Sequence, residues 1–154
     1  MFLYLVQHAE AKSEEEDPSR PLSSKGIEDI KRVASHISIL NIEVDEIFHS
    51  GKLRARQTAE ILTAILKIAK GITETDGLAP LDNSELWAER LTFKTTPVML
   101  VGHLPHLGKL ASLLLCGDIE ENIVTFKMGG IVCLKRDNNK DWSLQWMILP
   151  ELLP

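Results

Sequence analysis

Cysteine is scarce in this chain. Only Cys116 and Cys133 occur, without Cys-x-x-Cys spacing and with no histidine at zinc-finger distance. That excludes a disulfide framework and a zinc ribbon, and it predicts two buried free thiols. An excess of basic residues is also missing. Seventeen Lys and Arg stand against 22 Asp and Glu, for a formal net charge of −5. A general nucleic-acid binder gains affinity by neutralising phosphates with Lys and Arg, so no nucleic-acid partner is expected. A local basic pocket stays open, because net charge says nothing about one cleft. Long apolar runs are absent as well. The opening MFLYLVQHAE is too short for a signal peptide and has no basic start. Nothing approaches the ~18–20 apolar residues of a membrane span. A cytoplasmic protein without a membrane partner is the expectation. No repeat and no linker interrupt the chain. Its 154 residues fit one domain over 1–154, large enough to bury roughly 70% of its unfolded surface without a staple.

What is present alternates in character. Phe2 to Val6 is a short apolar run without helical period, as in a buried strand. Glu10 to Arg20 is polar, with acidic residues from Glu14 to Asp17, and reads as a solvated loop. Ser23 or Ser24 can cap a helix in which Ile27, Ile30, Ala34 and Ile37 share one face. Asn41 stops it. Val44 to His49 is the next strand. A second helix runs from Leu53 to Leu66, with Gly71 as its terminal breaker. Ile72 to Thr75 is a weak strand, Leu78 to Asn83 a loop, and Ser84 to Leu91 a short helix. Pro97 to Gly102 is an apolar strand, and Leu104 to Cys116 a helix opened by Pro105. The tail predicts strands at Ile123–Lys127, Gly130–Lys135 and Trp142–Leu149, separated by turns at Gly129-Gly130 and Asp137-Asn138-Asn139. This pattern predicts an α/β three-layer sandwich. Its central sheet is mostly parallel with helices on both faces, and antiparallel strands close one side.

Three predicted strands end in polar residues: Gln7-His8, His49-Ser50 and Gly102-His103. The second feeds a helix carrying Arg54. Ligand sites in open parallel sheets form at the carboxyl ends of strands. His8, Ser50, Arg54 and His103 can therefore converge on one crevice.

These residues carry a resemblance. Gln7-His8-Ala9 resembles the Arg-His-Gly signature of the histidine phosphatases. Ser50 to Thr58 resembles their Ser-x-x-x-Arg-Ala-x-Gln-Thr motif. Gly102-His103-Leu104-Pro105 and Arg20-Pro21-Leu22-Ser23 resemble segments of the SixA-type phosphohistidine phosphatases within that superfamily. Trp146 and Pro150 fit as well, so the likeness spans nearly the whole chain. It implies a phosphoglycerate mutase-like fold, a phosphatase activity and no cofactor. His8 would be the nucleophile that takes the phosphoryl group, with an uncharged ring nitrogen aimed at phosphorus. Its other nitrogen would donate to a backbone carbonyl. Arg54 would clamp phosphate oxygens with its planar fork. His103 would sit opposite, donating to a phosphate oxygen and adding charge when protonated, with Ser50 supporting the pocket. The implied substrate is a phosphorylated protein, on a histidine-containing phosphotransfer or carrier domain. The short chain between Arg54 and His103 leaves little material for a lid, which suits such a substrate. A small phosphomonoester, or a module that binds phosphoprotein without turnover, are the alternatives.

Two departures matter. Gln7 stands where the signature has Arg, which removes a full charge from the phosphate cradle. A charge-assisted hydrogen bond contributes roughly 1.5–3 kcal/mol against about 1 for a neutral one. Arg20 is the candidate to restore that charge. Ala9 replaces Gly, so the backbone there must avoid positive φ. The proton donor is open. Asp82 is the candidate, ahead of Glu85. His103 and His106 have a spacing a metal site can use, but no third ligand lies nearby in sequence, so no metal is expected.

Overall fold

The computed structural model describes every residue from Met1 to Pro154. Six strands form one mixed sheet: β1 (Phe2–Gln7), β2 (Glu46–His49), β3 (Ile72–Glu74), β4 (Val98–Gly102), β5 (Ile131–Arg136) and β6 (Trp142–Ile148). Four helices connect them: α1 (Ser24–Ser38), α2 (Leu53–Leu66), α3 (Ser84–Phe93) and α4 (His106–Cys116). A single 3-10 turn, Pro150–Leu152, closes the chain.

The strand order is β3-β2-β4-β1-β5-β6. The first four strands run parallel, and β5 and β6 add antiparallel at one side. β1 and β4 are central and apolar on both faces, as strands covered on both sides must be. Their alternate side chains divide the core in two. Tyr4, Val6, Met99 and Val101 pack with α1 and α2, while Leu3, Leu5, Leu100 and Val98 pack with α3 and α4. The result is the expected helix–sheet–helix sandwich.

Local chemistry sets the helix ends. The Ser23 hydroxyl accepts the Gly26 N–H at 3.0 Å, and Asn83 caps α3 by accepting the Glu85 N–H at 3.0 Å. Close packing decides Gly26, since a Cβ there would lie 2.1 Å from the Glu10 carbonyl oxygen. α4 stops at Gly117, whose φ of 75° is left-handed.

Several expectations need correction. Lys67, at φ 56°, ends α2; Gly71 belongs to the later turn before β3. Pro105 is the residue before α4, which starts at His106. Cys133 is buried, but Cys116 is exposed, because it occupies the last position of α4. Ile123–Lys127 forms no strand. Val124 and Phe126 are buried while Ile123, Thr125 and Lys127 are exposed, so the alternation is real. It is met by inserting two side chains into the core. Both edges of β1 are already taken, by β4 and β5, and β5 is itself covered by β6. The free edges of the sheet belong to β3 and β6, and this segment pairs with neither.

Candidate active site

β1 and β4 lie side by side in parallel register, with Gln7 opposite Gly102. Their chains then diverge, to α1 on one face and α4 on the other. A crevice opens at such a point, past the carboxyl ends of the strands. His8 and His103 occupy its two lips. Their ring centroids are 5.0 Å apart and their planes tilted by 48°.

Four hydrogen bonds fix the backbone around His8. Its N–H donates to the Gly102 carbonyl at 3.0 Å, and its carbonyl, at 3.3 Å, shares the Gly129 N–H with the Gln7 carbonyl, at 3.0 Å. The Ala9 N–H donates to the Thr58 hydroxyl at 3.0 Å, and that hydroxyl donates to the Arg54 carbonyl at 2.8 Å. Gly129 reaches the strand end with φ 76°, a conformation natural to glycine. Ala9 keeps negative φ, as its methyl requires.

The His8 ring is fixed too. Nδ1 lies 2.7 Å from the Ala9 carbonyl oxygen. A carbonyl only accepts, so Nδ1 carries the proton and the Nε2 lone pair is free. Burial pushes the His8 pKa down to about 4; the Ala9 bond opposes this, and the charges of Arg54 and Arg20 add to it. The ring is therefore neutral at pH 7. His103 Nε2 meets the Ser50 hydroxyl at 2.6 Å. Burial, then His8 and Arg54, push its pKa down to about 3. His103 is therefore neutral at pH 7.

Arg54 opens α2 beside these rings. Desolvation, and then the charge of Arg20, press its pKa below the usual guanidinium value. Arg20 and Arg54 line one cleft of about 300 Å³ with Lys52 and Glu14. None of these three cations forms a salt bridge. Three unpaired cations with one carboxylate give this cleft a net positive charge, which suits an anion. Arg20 holds its place through a left-handed backbone, φ 48°, and an Nε–H that donates to the Lys12 carbonyl at 3.1 Å.

Gln7 and Asp82 make no hydrogen bond to this cluster. The Gln7 Oε1 is buried without a protein partner. Strand alternation directs Gln7 to the α3–α4 side, with Leu3 and Leu5. The Asp82 carboxylate accepts the Ala79 N–H at 2.9 Å, and its charge acts on His106. No carboxylate is hydrogen-bonded to His8, Arg54 or His103. His106 is fully buried and neither ring nitrogen has a protein partner. No group of three or more metal-ligating side chains occurs.

Two contributors escaped the sequence reading. Thr58 ties α2 to Ala9, and Gln57 Oε1 accepts the Leu22 N–H at 2.7 Å. Both lie in the Ser50–Thr58 motif, and that motif was their available signal.

The histidine phosphatase superfamily (branch 1) family model matches residues 3–95. The chain belongs to the histidine phosphatase superfamily. It is a phosphatase, and its likeness is to the SixA type. An uncharacterized protein of Picosynechococcus is 35% identical over 144 residues, 88% of this chain and 85% of that protein. The phosphohistidine phosphatase SixA of Escherichia coli is 24% identical, over 97% of this chain and 94% of that protein. In three dimensions the chain superposes on a protein histidine phosphatase SixA complexed with tungstate, with a TM-score of 0.88 and 23% identity. Each chain is 99% covered. For this histidine phosphatase, that likeness establishes the fold. No helix is long and apolar enough to cross a membrane.

Proposed function

We propose that this histidine phosphatase removes phosphate from phosphohistidine on another protein, through a phosphoryl group carried on His8. One observation carries the reading: His8 Nδ1 is committed to the Ala9 carbonyl, which leaves Nε2 neutral, unprotonated and free beside His103 and Arg54.

The chemistry proceeds in two transfers. The Nε2 lone pair attacks phosphorus, the substrate P–N bond breaks and an Nε2–P bond forms. The ring becomes cationic, and the Ala9 carbonyl accepting from Nδ1–H stabilises that charge. The departing imidazole takes its proton from water. Water then attacks phosphorus, the Nε2–P bond breaks, and neutral His8 is restored with release of inorganic phosphate. Arg54 and Arg20 hold the non-bridging oxygens. His103 and the Ser50 hydroxyl donate from the opposite lip once the anion is bound. Fixed charges and positioning supply the rate enhancement, as in other phosphoryl transfers.

The site's proton donors fit a phosphoramidate. A phosphoester leaves as an alkoxide and needs an acid beside the leaving oxygen. Asp82 accepts the Ala79 N–H through one carboxylate oxygen and makes no hydrogen bond to His8, Arg54 or His103. The open crevice also suits a phosphate displayed on a protein domain, and a cytoplasmic setting would supply such partners. The test is a panel of a phosphorylated histidine phosphotransfer domain, sugar phosphates and nucleotides. The expected result is a kcat/KM highest, by at least about 10-fold, for the phosphohistidine protein. Preference for a sugar phosphate or nucleotide would overturn the reading.

A further inference from the structure

Past His103 the chain turns through Leu104 and Pro105, and these two residues form one wall of a second cleft of about 390 Å³. The segment after α4 forms the opposite wall, through Ile119, Glu120 and Glu121. That wall is anchored. The Ser112 hydroxyl bonds the Glu121 carbonyl, and Val124 and Phe126 are sunk in the core. Leu104 is 41% exposed and Ile119 37%, large apolar surface at the rim of an enzyme site. Glu120 and Glu121 form no salt bridge, and Lys109 is the lone cation in the lining. This cleft is therefore apolar with a net acidic rim. The cleft with Arg20, Lys52 and Arg54 is basic. Its Lys52 and Arg54 act electrostatically on His103, and Leu104, the next residue in the chain, lines the second cleft.

We propose that this second cleft docks the phosphorylated protein itself, receiving a segment with an apolar side chain and a Lys or Arg close to the phosphorylated residue. The inference rests on a phosphohistidine protein being the substrate. Complementary charge selects this occupant. A ligand spanning both clefts must be anionic at the His8 end and cationic at the Glu120–Glu121 end. Polarity of this kind also fixes the direction in which the segment lies, and it steers encounter. The apolar walls take the intervening side chain, while the rim carboxylates reject acidic segments by repulsion and by the cost of burying unpaired charge.

The experiment uses the full chain with two synthetic phosphohistidine peptides, one with Leu and Arg flanking the phosphorylated residue and one with Leu and Glu. Phosphoramidate, too small to reach the second cleft, is the reference substrate. The basic peptide is expected to exceed the acidic one in kcat/KM by about three- to ten-fold, the range of a few partly exposed charge pairs. The double variant Glu120→Lys with Glu121→Lys should reverse that preference, with phosphoramidate turnover unchanged. Equal kcat/KM for both peptides overturns the proposal, as does a charge reversal that slows phosphoramidate and peptide alike. Failure of the underlying reading looks different: neither phosphohistidine peptide nor phosphoramidate is turned over at all.

Discussion

In the proposed function, single side chains decide whether phosphate is held at this crevice. Gln7 cannot supply the charge that the superfamily signature places at its position, and strand alternation directs it towards the α3–α4 face. Arg20 can. It comes from the loop before α1, in the Arg20-Pro21-Leu22-Ser23 segment, and its charge acts on both His8 and Arg54. Because Arg20 sits at φ 48°, the clean test is Arg20→Gly, which keeps the backbone unstrained. Removing one charge-assisted contact costs roughly 1.5–3 kcal/mol. Inorganic phosphate should then inhibit about 10- to 150-fold more weakly, while thermal stability stays within a degree or two. Unchanged inhibition by phosphate would remove Arg20 from the site.

Among the elements, α2 does more than its apolar pattern announces. Its buried Thr58 bridges the helix backbone to Ala9, and so holds the carbonyl that orients His8. Thr58→Val keeps the shape and deletes the hydroxyl, leaving the buried Ala9 N–H unpaired. The expected loss is about 1–3 kcal/mol of stability, a Tm lower by several degrees, and a lower kcat. Full stability and activity in that variant would show that the Ala9 bond is dispensable. The periodic features were legible in the sequence. The apolar runs of β1 and β4 and the face of α1 follow from side-chain order alone. So did the placing of His8, Arg54 and His103 near strand tips. For Gln57 and Thr58 the Ser50–Thr58 motif was the signal, while periodicity gave none, because they act on loops far away in sequence, and a polar residue on a helix is ordinarily a surface residue. Ile123–Lys127 misled for the opposite reason. Alternation records which side chains are buried, but a strand also needs a paired neighbour, and this segment buries Val124 and Phe126 without joining either free edge of the sheet, β3 or β6.

For the molecule as a whole, burying neutral histidines has a consequence for acid stability. Unfolded histidines titrate near 6.5, whereas His8 is held at about 4 and His103 at about 3. Burial lowers His49 and His106 as well. Below pH 6.5 the unfolded chain takes up protons that the folded chain refuses. Stability therefore falls as pH drops from about 6.5, and the loss from His8 and His103 levels off once their folded pKa values are passed. Between pH 7 and 5, above the range where most carboxylates titrate, urea unfolding should show a decline of order 2–4 kcal/mol. A flat profile over that window would mean that these rings are not held neutral by the fold.

The most direct test of the nucleophile is to quench the enzyme rapidly during turnover of a phosphohistidine protein labelled in its phosphoryl group, and to map the label. An acid-labile phosphoryl group on His8, absent together with turnover from His8→Ala, is the predicted result. Undiminished turnover by His8→Ala, or a label on another residue of the wild-type chain, would contradict it.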